Sequence, residues 1–594
     1  MLAASRNPHT FHIPVMGTGF MIDAALRIAK YGIASALSLV DDVLIEQMRK
    51  HHCQREGEPY QEIPARQEDA RACRITAYLD LLDRLVGRQM AALRASPFQP
   101  GSEITRYFEL LPEGPLAAEY RAMLAITDPQ ERDLRQDRLR DQAVPGSIDV
   151  NIMSKGDRDA YRDGVKLPPQ FSDASAALRG FARSTLASSV IFSAGFNPRL
   201  YSYAAEFPDF FPDDQGWLKK RIVLKVSDFH SAAVQGKFLA KRGLWVSEYR
   251  IESGLNCGGH AFATQGLLLG PILDEFRQHK GELVEQLHAS YARALRDRGR
   301  EAGTAPLAVR VTAQGGIGTA DEDLLLREHY RVDGTGWATP FLLVPEVANL
   351  DDQHRRRLCA ADAGDVYLSD SSPFGVPYWN LRTSASEEAR RRRIAEGRPG
   401  SPCWKGYVRL FNKEFTDVPI CTASREYQKL KLEQLQEQDL AEEQRAALQE
   451  AVLCKSCICH DLAGAATLPN GLDPAATTAV CCGPNIVYFS RVATLEEMVG
   501  HIYGRNSLLR GSNRPHMFLR ELELYVDYLG GQIRRRRFGL SITPGHVRQF
   551  KENLLAGIDH YRRINEHLAA PQRPAFLQGL AKQQQALENI PERT

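Results

Sequence analysis

The chain has 594 residues, 43% of them hydrophobic and 25% charged, with 75 basic and 73 acidic side chains and a net charge of +2. That length exceeds one ordinary core and points to roughly two to four domains, or to one large α/β barrel with additions. The balanced charge excludes a global basic field for nucleic acid, and no apolar run of about 18 residues is available to span a membrane.

Along the chain, short β-rich apolar runs alternate with helical patterns. Segment 1–15 lacks the basic start and apolar centre of a secretory signal. FHIPVMGTG (11–19) reads as a first strand with its turn, DAALRIAKYGI (23–33) as a helix and ASALSLV (34–40) as a second strand. Residues 41–146 break the alternation. DDVLIEQMRKHH and ARACRITAYLDLLDRLVGRQMAALRAS carry apolar residues at helical spacing, which predicts a helical insertion. Further strands are expected at 147–153, 188–195, 220–228, 243–254, 306–316 and 330–339, with helices between them such as 229–242 and 267–299. Strands alternating with helices form parallel β-α-β units, and eight of them predict a closed TIM (β/α)8 barrel over 1–40 and 147–346. After Glu346 the alternation stops. A charged amphipathic helix or two is expected at 425–453, and the pattern is helical again from 494, so 347–594 reads as a mostly helical C-terminal region. The basic runs Arg390–Arg393 and Arg534–Arg537 read as solvated helix faces or loops.

In an α/β barrel, chemistry gathers where strands end. Three glycine-rich stretches fall at such places: MGTG (16–19), SGLNCGGH (253–260) and QGGIG (314–318). Glycine lets the backbone approach a ligand, and bare N–H groups at a helix start suit phosphate. The loops after the seventh and eighth strands, common builders of barrel phosphate sites, would be QGGIGTADED (314–323) and GWATPF (336–341). Taken singly, a glycine pair at a strand end reads as a tight turn and a loop histidine as structural.

In this order the stretches resemble the nitronate monooxygenase (2-nitropropane dioxygenase-like) family of FMN-dependent α/β-barrel enzymes. Residues 14–39 look like that family's opening strand, flavin loop and first helix. DVNIM (149–153) is similar to the strand whose asparagine, here Asn151, approaches the flavin, and VIFSAG (190–195) to the strand ending in a serine, an aromatic and a glycine. IVLKVSD (222–228) is similar to the strand whose lysine, here Lys225, faces the cofactor. SGLNCGGHAF (253–262) matches the glycine-glycine-histidine signature. VTAQGGIGTADE (311–322) and VDGTGWATPFLLVPE (332–346) match the two phosphate loops.

The resemblance covers roughly 14–40 and 147–346. It implies FMN held by Met16, Gly17, Thr18, Asn151, Lys225, Ser253, Gly258 and Gly259, with Gly315, Gly316, Gly336, Ala338 and Thr339 around the phosphate. It implies His260 as the base that takes a proton α to an electron-withdrawing group, which suits a side chain with an ordinary pKa near 6.5. The family usually has alanine where Cys257 stands, arginine-glycine where Ala261 and Phe262 stand, glycine in place of Ala338 and arginine in place of Pro340. The cofactor site therefore carries over better than the substrate site.

Five of the 11 cysteines fall between Cys454 and Cys482, in CKSCICHDLAG and AVCCGPN. An odd count in a long chain fits a reducing cytoplasm more than a disulfide framework. Cys454, Cys457 and Cys459, beside His460, are followed roughly 20 residues on by Cys481 and Cys482, a spacing that fits zinc or an iron–sulfur cluster. The same residues also read as small apolar side chains buried around a glycine-rich turn, or as catalytic thiols. SDSSPFGVPYWNLR (369–382) and GRPGSPCWKGY (397–407) are the kind of loop that caps an active site, and equally an ordered structural loop.

The expected function is an FMN-dependent oxidoreductase of nitronate monooxygenase type acting on a small molecule. An alternative is an enoyl reductase acting on acyl chains borne by a carrier protein, similar to the trans-acting reductases of polyketide and polyunsaturated fatty acid synthases; the helical additions favour such a larger substrate or a partner protein. A third reading, of another class, is a metal-bearing scaffold or interaction protein without turnover.

Overall fold

The computed structural model describes residues 7–591 apart from 194, 411, 512 and 541–543. Of the stretches read above, the start of the chain, Ala194 and Thr543 lie outside the described residues. Eight strands build the centre: β1 (Phe11–Ile13), β2 (Ala34–Ser38), β3 (Ile148–Met153), β4 (Ser189–Ser193), β5 (Arg221–Val226), β6 (Val246–Glu252), β7 (Arg310–Gln314) and β8 (Gly334–Gly336). Each pairs in parallel with its sequence neighbour, and β1 pairs with β8 to close the barrel. The expected closed (β/α)8 barrel is what forms.

The strand period of two decides what faces inward. In β6, Tyr249 and Ile251 pack outward beneath the helix Leu269–Asp297, with Tyr249 meeting the Phe276 ring at 5.8 Å. Glu248, Arg250 and Glu252 are thereby sent into the barrel. Arg250 and Thr312 both donate to Glu248, at 2.9 and 2.7 Å, so the inward charge is paired. A small apolar layer of Ala36, Ile191 and Val223 packs with Val15.

Between β2 and β3 lie five helices, Asp42–Glu56, Ala70–Ala95, Glu103–Glu109, Pro115–Leu124 and Pro129–Gln142. The first is capped by Asp41, whose carboxylate accepts from Leu44 N at 3.0 Å. After the barrel, an antiparallel ribbon of β9 (Val366–Ser369) and β10 (Tyr378–Leu381) precedes a run of helices. That ribbon interrupts the expected helical region where the Gly, Pro and aromatic residues of 369–382 offer no helical period. The charged stretch 425–453 forms two helices, Arg425–Glu437 and Glu442–Leu453. In the basic runs Arg391 and Arg392 are exposed, whereas Arg390 pairs with Glu387 at 2.7 Å and Arg535 with Asp370 at 2.6 Å. One contiguous apolar core joins barrel, insertion and C-terminal helices. Among the described residues, no helix is long and apolar enough to cross a membrane.

Candidate active site at the carboxyl ends of the strands

Two adjoining cavities, of about 130 and 50 Å³, open where the strands end. The larger is lined by Gly17, Thr18, Asn151, Lys225, Gly258, Gly259 and His260. The smaller is lined by Met16, Gly258, Gly315, Gly316, Gly336, Ala338 and Thr339. The structure thus brings the family-derived residues to one place from six strand ends, with one exception. Ser253 lines neither cavity; its hydroxyl donates to Glu521 at 2.5 Å, anchoring the signature loop to the helix Met517–Arg536.

His260 stands at the wall of the larger cavity, held from the C-terminal side. The loop adds to the β9–β10 ribbon like a further strand: Trp379 N donates to Gly259 O and Ala261 N to Pro377 O, both at 2.9 Å. The imidazole Nε2 is hydrogen-bonded to Ser372 Oγ at 2.7 Å, and its ring meets Phe374 and Tyr378 edge-on at 5.3 and 5.1 Å. Burial, and then the Lys225 charge, lower its pKa to about 4. At neutral pH it is an uncharged imidazole with a lone pair available for a proton.

Lys225 does not face the cavity alone. Its ammonium donates to Glu252 at 2.7 Å, and Gln314 donates to the other Glu252 oxygen at 2.6 Å. Burial opposes the lysine charge, but the Glu252 carboxylate prevails and raises its pKa. Glu252 and Gln314 are the last residues of β6 and β7. The rule that strand ends carry function was the signal that could have singled them out from sequence.

The C-terminal region closes the cavities from above. Gly259 has a φ of +72°, and a Cβ there would sit 2.7 Å from Cys481 Sγ. At Gly316, φ +83°, a Cβ would sit 2.1 Å from Asn256 Nδ2, so Asn256 covers this glycine loop. Asn256 is in turn held by Asn485, which donates to its Oδ1 at 2.9 Å. Cys481, Asn485, Tyr378 and Leu462 all reach the cavity walls from beyond residue 350, and no local pattern in their own stretches announces it. Four buried polar atoms on these walls, Thr18 Oγ1, Asn151 Oδ1, Tyr378 Oη and Asn485 Oδ1, have no hydrogen-bond partner. Such atoms are costly to bury unless a ligand or water satisfies them; the amide oxygens accept and the hydroxyls can donate or accept, a set compatible with a polar, nucleotide-like guest.

The five cysteines expected to share a metal do not converge. Cys457 and Cys459 pack in a separate small cluster, Cys481 and Cys482 belong to the barrel core, and Cys454 donates to Ala451 O at 3.2 Å. Burial raises the Cys481 and Cys482 thiols above their ordinary range. Among the described residues, no group of three or more His, Cys, Asp or Glu side chains is placed to hold a metal ion. The expectation rested on sequence spacing. Residues 481 and 482 follow a helix, Ile458–Thr467, and a long turn that carry them away from Cys457.

No family model and no curated protein matches this chain. Among solved structures, it is similar to the enoyl reductase domain of MlnA from the macrolactin biosynthesis cluster of Bacillus amyloliquefaciens, at 13% identity and a TM-score of 0.40 over 84% of this chain and 94% of that one. It is also similar to FabK from Thermotoga maritima, at 12% identity and a TM-score of 0.29 over 70% of this chain and 90% of that one. A nitroalkane oxidase from Streptomyces ansochromogenes aligns at 14% identity and a TM-score of 0.29 over 63% of this chain and 77% of that one.

Proposed function

We propose that the protein is an FMN-dependent oxidoreductase in which His260 moves the substrate proton. The observation that carries this reading is the meeting of His260, Lys225, Asn151 and the two glycine loops on one pair of adjoining cavities at the mouth of a closed barrel. FMN, when bound, would supply hydride or electron transfer. Gly315, Gly316 and Thr339 would hold its phosphate, while Thr18, Asn151 and Asn485 would spend their free polar atoms on its ring and ribityl chain. The two cavities share the walls Glu252 and Gln314, and a bound nucleotide, which needs a pocket of about 300 Å³ or more, would need these side chains to move aside to join them.

The residues of the chain then divide the work. Phe374 and Tyr378 keep water from His260, and Ser372 fixes the ring plane. The neutral imidazole takes a proton from a carbon α to an electron-withdrawing group such as a nitro group or carbonyl. Lys225, released in part from Glu252, offers positive charge to the electron-rich product of that step.

Purified protein that is yellow and releases FMN on denaturation supports the reading; colourless protein that takes up no added FMN overturns it. His260→Ala is expected to keep flavin and lose substrate-driven bleaching by about 10²-fold or more, and full bleaching in that variant removes the histidine from the mechanism.

A second reading, reduction of an enoyl thioester, is favoured by a cavity of about 520 Å³ lined by Lys155, Phe196, Arg199, Phe374 and Leu410. It adjoins the His260 wall through Phe374 and has room for an acyl chain. Oxidation of a nicotinamide cofactor dependent on a crotonyl thioester, but on no nitronate, would select it.

A further inference from the structure

Cys403, Cys421, Cys457 and Cys459, from three distant stretches, pack with Tyr407 and Val408 in a small cluster of their own. The first two are brought together by main-chain pairing at the base of a loop. Ser401 N donates to Ala423 O and Arg425 N donates to Ser401 O, both at 2.9 Å. Cys403 packs on this cluster with Cys421, close enough for each thiol to shift the other's titration.

The members of the first pair differ in setting. Cys421 is 5% exposed, whereas Cys403 is half-buried and reachable. Cys403 also holds a left-handed backbone, φ +52°, a conformation costly for a residue with a side chain and found most often where function repays it. The neighbouring Cys421 thiol and, against the opposing effect of burial, the Arg409 guanidinium hold the Cys403 thiol below its ordinary range; the Cys403 neighbour and burial push Cys421 above it. One thiol is thus suited to attack and the other to follow. The cluster lies against Phe374, whose ring also meets the His260 ring edge-on at 5.3 Å.

We propose that Cys403 and Cys421 form a peroxide-responsive dithiol, with Cys403 the attacked sulfur and Cys421 the resolving one. The Cys403 thiolate attacks hydrogen peroxide. The O–O bond breaks, one oxygen stays as a sulfenic acid, and the other leaves as hydroxide, which takes up the proton the thiol had released and becomes water. The Cys421 sulfur then attacks the sulfenic sulfur, the S–S bond forms, the S–O bond breaks and a second water leaves. Two electrons pass from the thiols to the peroxide. The disulfide ties the loop 403–421 at its base, beside the wall that holds Phe374 on His260. Added peroxide drives the reaction, so it stands apart from the flavin reading.

The test treats the full chain at neutral pH with a few equivalents of hydrogen peroxide, alkylates the remaining thiols and maps peptides by mass spectrometry. The first disulfide to appear is expected to be Cys403–Cys421, reversed by dithiothreitol. Cys421→Ser is expected to leave Cys403 as a sulfenic acid trapped by dimedone, and Cys403→Ser to abolish both products with the thermal midpoint kept. Should a variant fail to fold, the parent chain decides: Cys403 is expected to react with iodoacetamide about tenfold faster than Cys421. Equal rates, oxidation confined to other cysteines, or a stoichiometric zinc ion that must be removed before either thiol reacts would each overturn the proposal.

Discussion

Glu521 ties the signature loop to the rest of the molecule. Its two oxygens accept from Ser253 Oγ, from Leu269 N at 3.0 Å and from Tyr561 Oη at 2.9 Å. Burial raises its pKa to about 7 against those three donors, so the folded chain binds this proton more tightly than the unfolded chain does. A raised carboxyl contributes stability fully below the ordinary carboxylate range, and that contribution is lost as pH rises towards and through 7. Glu521→Gln keeps an acceptor for Leu269 and Tyr561 and cannot ionise. It is expected to flatten the fall in unfolding free energy between about pH 5 and 8, measured by denaturant titration at each pH. Parallel curves for parent and variant would refute the assignment. Glu521→Ala strands buried donors and is expected to cost about 1–3 kcal/mol.

At the scale of elements, the loop after β6 and the segment 481–485 are shaped to each other. Gly258 would bring a Cβ to 3.2 Å from Gly483 N, and Gly259 to 2.7 Å from Cys481 Sγ with φ at +72°. Gly259→Ala should lose about 1–2 kcal/mol to left-handed backbone, and more to the displaced sulfur. Gly87 is the contrast. It lies on the exposed side of the helix Ala70–Ala95, where an added Cβ meets nothing within 4 Å. Gly87→Ala is expected to stabilise by about 0.5–1 kcal/mol by lowering the entropy lost on folding. Denaturation midpoints that move in the same direction for both would contradict this reading of the loop.

Across the whole molecule, barrel and C-terminal helices share one core, and polar links cross between them as well. Glu322, at the start of the helix Ala320–Glu328, is buried and ion-paired with Arg514 at 2.7 Å; Met517 N donates to the same oxygen at 2.7 Å. A chain ending at residue 350 would leave that carboxylate unpaired, at about 3–5 kcal/mol, and bare the apolar face that the helices cover. Such a chain is expected to unfold without a cooperative transition and to bind a hydrophobic dye, whereas the full chain is expected to keep a cooperative transition and to bind none. A truncated barrel with sharp near-ultraviolet circular dichroism and a single melt would show the barrel to be independent.

What the sequence determined by itself is the barrel and the order of its strand ends, because strand and helix periods are local and eight strands that alternate with helices have few closed solutions. Strand order singled out the glycine-rich stretches as strand ends; His260, Lys225 and Asn151 came from the resemblance to a known family, not from any local period. Tertiary structure alone decided what surrounds them. Ser372 reaches His260 across 112 residues and Glu521 reaches Ser253 across 268, and no local period encodes such a contact. The cysteines make the same point. Their spacing from Cys454 to Cys482 suggested one site, but sulfur placement depends on which way each backbone segment turns. The fold sends Cys481 to the cavity and Cys457 and Cys459 to a cluster with Cys403 and Cys421.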